Sequence, residues 1–417
     1  MSIKIYPSAL SGEITLPASK SVAHRALICA ALGDKKCTLV GKFCGDDVFA
    51  TIDFLTSLGA KIDVQKTLLT VTPISSVPKK VTADAKSSGS TLRFMLPVCA
   101  CFDTETTVIG SERLAERPIK NLLFSLKKAG ASFSSDRLPV TVSGKISGSY
   151  YEIDASESSQ FVTGIMLALP KIGGGKIVIK GKKVSGDYLK ITASVMRSFG
   201  VTVAETDSGY IISGSYRSPG VYFVESDWSS AAFFAVSGAI GGEITLKGLK
   251  SGSVQGDKKI LEAIEKAGAK ITLVGNDFRI EKNLLNPFVF DVENCPDCAP
   301  SLAVLAAFCD GKSVLLGTGR LKLKESDRSK EIVKLLSSFG IEADDKGDRI
   351  EIYGTGTLRG AQLALPDDHR IVMAAAIAAS GSVCPSVLSG EQAVSKSYPS
   401  FFDDFILLGG KADVLTV

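Results

Sequence analysis

Leu58-Gly59-Ala60-Lys61-Ile62-Asp63-Val64 and Ala267-Gly268-Ala269-Lys270-Ile271-Thr272-Leu273 follow one plan: an apolar helical end, a glycine, a small residue, then alternating strand text. The same theme returns as Ala129-Gly130-Ala131, Phe199-Gly200-Val201, Phe339-Gly340-Ile341 and Leu408-Gly409-Gly410. Successive glycines stand 71, 70, 68, 72 and 69 residues apart. A glycine between a helical end and a strand supplies a left-handed C-cap, and a fixed long period marks one structural unit used repeatedly. Six units are therefore expected in 417 residues.

A more apolar helix is predicted earlier in each unit, over 21–33, 90–101, 159–169, 229–240, 297–309 and 368–380. Text such as Ala231-Ala232-Phe233-Phe234-Ala235-Val236 is apolar on every face, which suits a helix buried inside a domain. Segments such as Lys176-Ile177-Val178-Ile179-Lys180 and Glu243-Ile244-Thr245-Leu246-Lys247 alternate as strands. The unit reads as βαβαββ. The chain is too long for one core, so six units divide into two α/β domains of three, with buried helices walled by sheets.

Composition excludes several function classes. A hydrophobic content of 45% and a charged content of 22% are ordinary for a globular protein, and a net charge of +4 argues against a dedicated nucleic-acid surface. A DNA-encircling clamp would need Lys and Arg along its central helices, which here are apolar. No apolar run is long enough to span a membrane, and Met1-Ser2-Ile3-Lys4-Ile5-Tyr6 reads as an edge strand, not a signal or transit peptide. A cytoplasmic protein with no membrane partner is expected. Nine cysteines scattered through apolar text suggest buried free thiols. Cys295-Pro296-Asp297-Cys298 lacks the second pair that a zinc site needs, and with only two histidines no metal centre is expected.

The starts of the apolar helices keep register at Ser21, Ser90, Ser159, Ser229, Asp297 and Asp368. Each, taken alone, is an ordinary N-cap. Cations beside these starts are not ordinary, because a helix N-terminus carries positive partial charge. Lys20, Arg25, Arg117 (ahead of Pro118 as a helix N1), Lys324, Arg328, Arg370 and Lys396 all sit there, with Lys324 and Arg328 expected on one helix face at i,i+4. A surface salt-bridge network is the plain alternative for Lys324-Glu325-Ser326-Asp327-Arg328, as is a simple cap for Asp368-His369-Arg370. Seven such cations together imply an anionic partner, since phosphate or carboxylate accepts from backbone N–H, serine hydroxyls and guanidinium forks at once. The expected ligands are strongly anionic small molecules, held where helix starts of the two domains meet.

These residues carry a family resemblance. Pro17-Ala18-Ser19-Lys20-Ser21, Gly89-Ser90-Thr91-Leu92-Arg93, Glu116-Arg117-Pro118-Ile119, Ser158-Ser159-Gln160-Phe161, 185–188, Glu225-Ser226-Asp227, Pro296-Asp297, Lys324 to Arg328, Asp368-His369-Arg370 and Lys396-Ser397-Tyr398-Pro399 occur in order along nearly the whole chain. In this the chain resembles the 5-enolpyruvylshikimate-3-phosphate (EPSP) synthase family of enolpyruvyl transferases. The resemblance implies two inside-out α/β domains, one from 1–18 plus 226–417 and one inserted at 19–225. It implies transfer of the enolpyruvyl group of phosphoenolpyruvate to the 5-hydroxyl of shikimate 3-phosphate, without metal or organic cofactor, by a monomer on the route to chorismate and aromatic amino acids.

The resemblance also implies roles. Shikimate 3-phosphate would contact Lys20, Ser21, Arg25, Ser158, Ser159, Gln160, Ser185, Asp297 and Lys324, with Tyr188 bordering that pocket. Phosphoenolpyruvate would contact Lys20, Gly89, Arg117, Gln160, Arg328, Arg370 and Lys396. Asp297 would take the proton of the attacking hydroxyl, Glu325 would protonate the methylene carbon, and Lys20 is the alternative acid. Ser87, His24, Arg320 and Trp228 depart from the familiar pattern and carry no assigned contact. Room at Gly89 implies sensitivity to glyphosate. The related UDP-N-acetylglucosamine enolpyruvyl transferases expect a reactive loop cysteine, whereas Cys99 and Cys101 lie in an apolar helix and the loop before Arg117 has none. A binding protein without catalysis is disfavoured by the presence of both carboxylates.

Overall fold

All six repeat glycines take left-handed backbone angles, with φ between 77° and 109°, as the C-cap reading requires. In the computed structural model, which describes residues 2–181 and 186–415, each ends an amphipathic helix and the chain then turns into a strand. The unit is the expected βαβαββ. Residues 80–143 show it: strand Lys80–Asp84, helix Gly89–Cys99, strand Glu105–Ile109, helix Lys120–Lys128, then strands Ser132–Phe133 and Val140–Ser143, with one extra short helix at Glu112–Ala115.

Six four-stranded sheets are formed among the described residues. In the sheet of residues 80–143, Lys80–Asp84 runs parallel to Glu105–Ile109, while Val140–Ser143 pairs antiparallel with Glu105–Ile109 and with Ser132–Phe133. Two parallel edges are completed by distant chain: Val221–Phe223 joins Cys37–Val40, and Ser11–Thr15 joins Glu243–Lys247. The N-terminal strand corrects its sequence reading. Ser2–Tyr6 is not an edge but lies between Ser386–Ser389 and Lys411–Leu415, antiparallel to both. Alternation shows that one face of a strand is buried; it carries no information on whether one or both of its edges are paired.

The chain forms two compact units, Met1–Pro17 with Ser226–Val417, and Ala18–Glu225. Each has its own core around three buried helices: Trp228–Gly241, Ala299–Ala307 and His369–Gly381 in the first, Lys20–Ala31, Gly89–Cys99 and Ser159–Ala168 in the second. Fully buried side chains such as Phe94, Phe161, Phe233 and Phe234 contribute on the order of 1.5–3 kcal/mol each. In the second unit, Pro97 removes the N–H that would bond the Arg93 carbonyl within its helix. Gly164 packs over that carbonyl so closely that a Cβ would strike it, which lets the 89–99 and 159–168 helices approach.

The helix caps differ from expectation by a residue or two. Side-chain caps come from Ser88, Ser158, Asp227 and Asp368, not from Ser90, Ser159 and Ser229. Lys20 opens its helix after Ser19, which makes no side-chain cap, and Asp297 lies in a 3-10 turn, Pro296–Cys298, ahead of Ala299–Ala307. The serines in register at 21, 90 and 159 are therefore free of capping duty. Seven of the nine thiols are buried as expected; Cys44 is half-buried and Cys384 exposed. Among the described residues no helix is long and apolar enough to cross a membrane.

Candidate active site

Within Ala18–Glu225 the first turns of the three buried helices hold most of the expected residues. Lys20 Nζ bonds Asp47 Oδ2 at 2.8 Å. One turn on, Arg25 is 2% exposed and every hydrogen bond described for it goes to a neutral group: Thr192 Oγ1 at 2.8 Å, the Ser21 carbonyl at 2.6 Å, the Tyr188 carbonyl at 3.3 Å and Thr163 Oγ1 at 3.5 Å. Its guanidinium stacks 4.9 Å from the Phe94 ring centre. Burial without a carboxylate pushes its pKa down to about 10.

Gln160 is held on both ends: Arg93 Nη1 donates to its Oε1 at 2.6 Å, and its Nε2 donates to Ser90 Oγ at 2.9 Å. Ser158 caps the same helix through Gln160 N, and Ser159 is buried beside it. The Arg117 guanidinium lies over Gly89, where a Cβ would come within 2.7 Å of Arg117 Cζ. Arg117 precedes no helix N1, because the next helix begins at Lys120 after Ile119. Behind these residues runs a chain of hydroxyls, from His24 Nδ1 to Thr51 at 2.7 Å, to Thr91 at 2.7 Å, to Ser88 at 2.8 Å. Burial, helped by Lys20 and Arg25 against Asp47, pushes the His24 pKa down to about 3, so this imidazole is neutral. Ser185 lies outside the described residues.

The unit of Ser226–Val417 concentrates charge. Asp297 Oδ1 accepts from Arg328 Nη1 at 2.7 Å and Lys324 Nζ at 3.3 Å, and its Oδ2 accepts from Arg370 Nη2 at 3.3 Å. Arg328 also grips Asp368 through Nε at 2.8 Å and Nη2 at 3.1 Å. Asp368 in turn caps its helix through Arg370 N and accepts from Ser326 Oγ at 2.9 Å. Burial pushes the Asp368 carboxyl up, but Arg328 outweighs it and holds it below the ordinary carboxylate range. Glu325 Oε2 stands 2.8 Å from His369 Nδ1. Burial, against the pull of Asp297, lowers Lys324 to about 8.

The cations are thus compensated unevenly, which refines the sequence reading. Lys20, Lys324, Arg328, Arg370 and Lys396 have carboxylate partners within the protein, the last at Asp367 Oδ2, 2.7 Å away. Arg25 has none among the described residues, and Arg370 Nε and Nη1 are buried without a partner there. Lys324 does not share a helix face with Arg328, because the helix starts at Arg328 and Lys324 belongs to the preceding extended turn. Lys396 ends a 3-10 helix, Glu391–Lys396, and does not start the next helix at Phe401.

The EPSP synthase (3-phosphoshikimate 1-carboxyvinyltransferase) family model matches residues 5–405. The chain belongs to the EPSP synthase family. It is 37% identical to 3-phosphoshikimate 1-carboxyvinyltransferase of Clostridioides difficile (strain 630), covering 99% of this chain and 98% of that protein. It is also 37% identical to the enzyme of that name from Clostridium kluyveri, over 100% and 99% of the two chains. The solved EPSP synthase from Acinetobacter baumannii superimposes with a TM-score of 0.84 at 24% identity, over 99% of this chain and 100% of that one. The enolpyruvyl transferase NikO from Streptomyces tendae follows at 0.78 and 13%, over 99% and 98%. The likeness to these two structures shows the fold: mixed α/β, with helices buried behind four-stranded sheets.

Sequence reasoning on this EPSP synthase family member missed the supporting shell. Asp47, Arg93, Thr163, Thr192 and His369 hold the expected residues yet were not singled out, whereas Ser90, named as a helix start, also holds Gln160. Arg93 and His369 stand inside quoted motifs and could have been found by asking what holds Gln160 and Glu325. The others come from separate elements and carry no local signal. Glu325, Asp368 and His369 offer ligand atoms within 4.8 Å of one another, a spacing a metal ion could use. Asp368 is already committed to Arg328, Ser326 and its own helix cap, so a cation there would compete with a buried guanidinium.

Proposed function

We propose that this protein transfers the enolpyruvyl group of phosphoenolpyruvate to the 5-hydroxyl of shikimate 3-phosphate and releases inorganic phosphate. Membership of the family supports the reaction. The observation that carries the substrate chemistry is Arg25, a buried guanidinium with only neutral partners among the described residues, whose charge a substrate phosphate would balance. Lys20, Ser21, Arg25, Ser158, Ser159, Gln160 and Ser185, with Asp297 and Lys324, would bind shikimate 3-phosphate. Lys20, Gly89, Arg117, Gln160, Arg328, Arg370 and Lys396 would bind phosphoenolpyruvate.

The chemistry follows from charge. Protonation of the methylene carbon makes the adjacent carbon cationic, the 5-hydroxyl adds to it as its proton passes to Asp297, and a tetrahedral adduct forms. Loss of a proton from the new methyl group and of phosphate then restores the C=C bond and forms the enol ether. Glu325, oriented by His369, supplies and later removes the carbon proton, with Lys20 as the alternative acid. The residues assigned here need no cofactor. Against the UDP-N-acetylglucosamine alternative, burial pushes the thiols of Cys99 and Cys101 up to about 12, which leaves them inert as nucleophiles. We place the enzyme in the cytoplasm as a monomer.

The test is phosphate release from phosphoenolpyruvate with shikimate 3-phosphate as acceptor, in wild type, Asp297→Ala and Lys20→Ala. Wild type is expected to release phosphate only when the acceptor is present, and both variants to lose at least about a hundredfold in kcat/KM. Absence of acceptor-dependent release in wild type refutes the assignment.

A further inference from the structure

Asp257 is a carboxylate to which the reaction above gives no task. It lies in the 3-10 turn Gly256–Lys259 and is 4% exposed. The segment grips the start of the Trp228–Gly241 helix at three points: Gln255 Nε2 donates to the Ser226 carbonyl at 2.9 Å, Gln255 Oε1 accepts from Trp228 N at 3.2 Å, and the Ser229 hydroxyl donates to the Asp257 carboxylate. On its other side the Cys298 thiol lies 3.5 Å from both the Asp257 carbonyl oxygen and Oδ1. Cys298 is fully buried and is the next residue after Asp297 in the turn that carries it. Asp257 forms no ion pair among the described residues, so a hydroxyl and a thiol are the groups bonded to its carboxylate.

A buried carboxylate without a bonded cation costs stability. Its charge therefore calls for a purpose. Asp297 is pulled on by Lys324, Arg328 and Arg370 at 2.7–3.3 Å, which stabilises its anion and weakens it as a base. A second negative charge nearby works in the opposite direction.

We propose that Asp257 is a positioning residue for the hydroxyl-deprotonation step, anchoring the Pro296–Cys298 turn through the Cys298 thiol and offsetting with its own charge the pull of the three cations on Asp297. This rests on the reading of Asp297 as the base. The groups that act on Asp257 from its neighbours are Asp297 and Cys298 on one side, Asp227 and Ser229 on the second and Arg370 on the third. Burial, then the charge of Asp297, push its pKa up to about 6.

The experiment is the pH profile of kcat from pH 5 to 9 for wild type, Asp257→Asn, Cys298→Ala and Cys298→Ser. Asp257→Asn removes the charge and keeps one of the two acceptor oxygens. It is expected to move the acid limb to lower pH by about half to one pH unit and to lower the plateau about fivefold, with KM for shikimate 3-phosphate within about twofold of wild type. Cys298→Ala is expected to lower kcat about threefold without moving the limb, and Cys298→Ser, which keeps a donor, to restore it. A loss in Asp257→Asn that is the same factor at every pH overturns the proposal, as does a wild-type profile. Should Asp257→Asn fail to fold, full activity in Cys298→Ala overturns it. Full kcat in Asp297→Asn would instead remove the base reading on which it rests, and a wild type without acceptor-dependent phosphate release would remove the reaction itself.

Discussion

Replacing Arg25 by Met separates binding from folding in this protein. The side chain is 2% exposed, and its bonds run to Thr192, Thr163 and the carbonyls of Ser21 and Tyr188. Burial lowers its pKa to about 10, a depression worth about 3 kcal/mol at roughly 1.4 kcal/mol per decade. That energy opposes folding of the ligand-free protein and is recovered when an anion pairs with the guanidinium. Met has no charge to desolvate, so the ligand-free variant is expected to unfold within about 1 kcal/mol of wild type, lost hydrogen bonds offsetting the relieved charge. Affinity for shikimate 3-phosphate is expected to fall by the recovered energy, about a hundredfold in Kd. At a ligand concentration of about 100 wild-type Kd, ligand would stabilise wild type by about 2.7 kcal/mol and the variant by only about 0.4 kcal/mol. Titration calorimetry and thermal unfolding with and without ligand measure both quantities. A variant that binds shikimate 3-phosphate within about threefold of wild type refutes the reasoning.

Gly89→Ala would press a methyl group onto the Arg117 guanidinium, a flexible group that yields without unfolding the chain. KM for phosphoenolpyruvate should rise about tenfold with kcat little changed, and inhibition by glyphosate, expected in wild type, should weaken; an unaltered KM, or wild-type activity indifferent to high glyphosate, counts against the placement. Lys324, lowered to about 8 by burial, loses its charge as pH rises through that value, so kcat/KM for shikimate 3-phosphate should fall above pH 8. Lys324→Arg should carry that limb beyond pH 9, and a limb that stays at 8 in the variant assigns it to another group. His24 is neutral when folded, at about 3, and charges near 6.5 when unfolded, so its contribution is complete above pH 6.5 and is lost as pH falls toward 3. Wild type should lose about 2 kcal/mol from this source between pH 7 and pH 5, and His24→Asn should be spared it; denaturant midpoints that drop equally in both proteins would show that the acid loss lies elsewhere.

Much of the fold was legible because it is repeated. One apolar helical end followed by glycine is weak evidence; six at a near-constant spacing define the unit, and all six glycines carry the positive φ that the reading demanded. The misreadings share one cause. Ser2–Tyr6 looked like an edge strand because its second partner, Lys411–Leu415, is nearly the whole chain away. Lys324 and Arg328 are four residues apart, but the helix begins only at Arg328, and the Asp327 cap that starts it was masked by the charges around it.

The sequence by itself determined the repeated unit, the buried helices and the kinds of residue that gather at their starts, because periodicity, capping chemistry and charge sign are local properties. Only the tertiary structure decided which charges remain to be balanced. Arg25 and Arg328 are both buried arginines near the starts of helices, yet Arg328 meets Asp297 and Asp368 whereas Arg25 meets hydroxyls and carbonyls. Apart from the Ser21 carbonyl one turn away, those partners come from segments 31 to 167 residues distant, brought close by the packing of helices within each unit, and the energy of a buried charge depends on what lies within a few ångströms of it and not only on its neighbours along the chain.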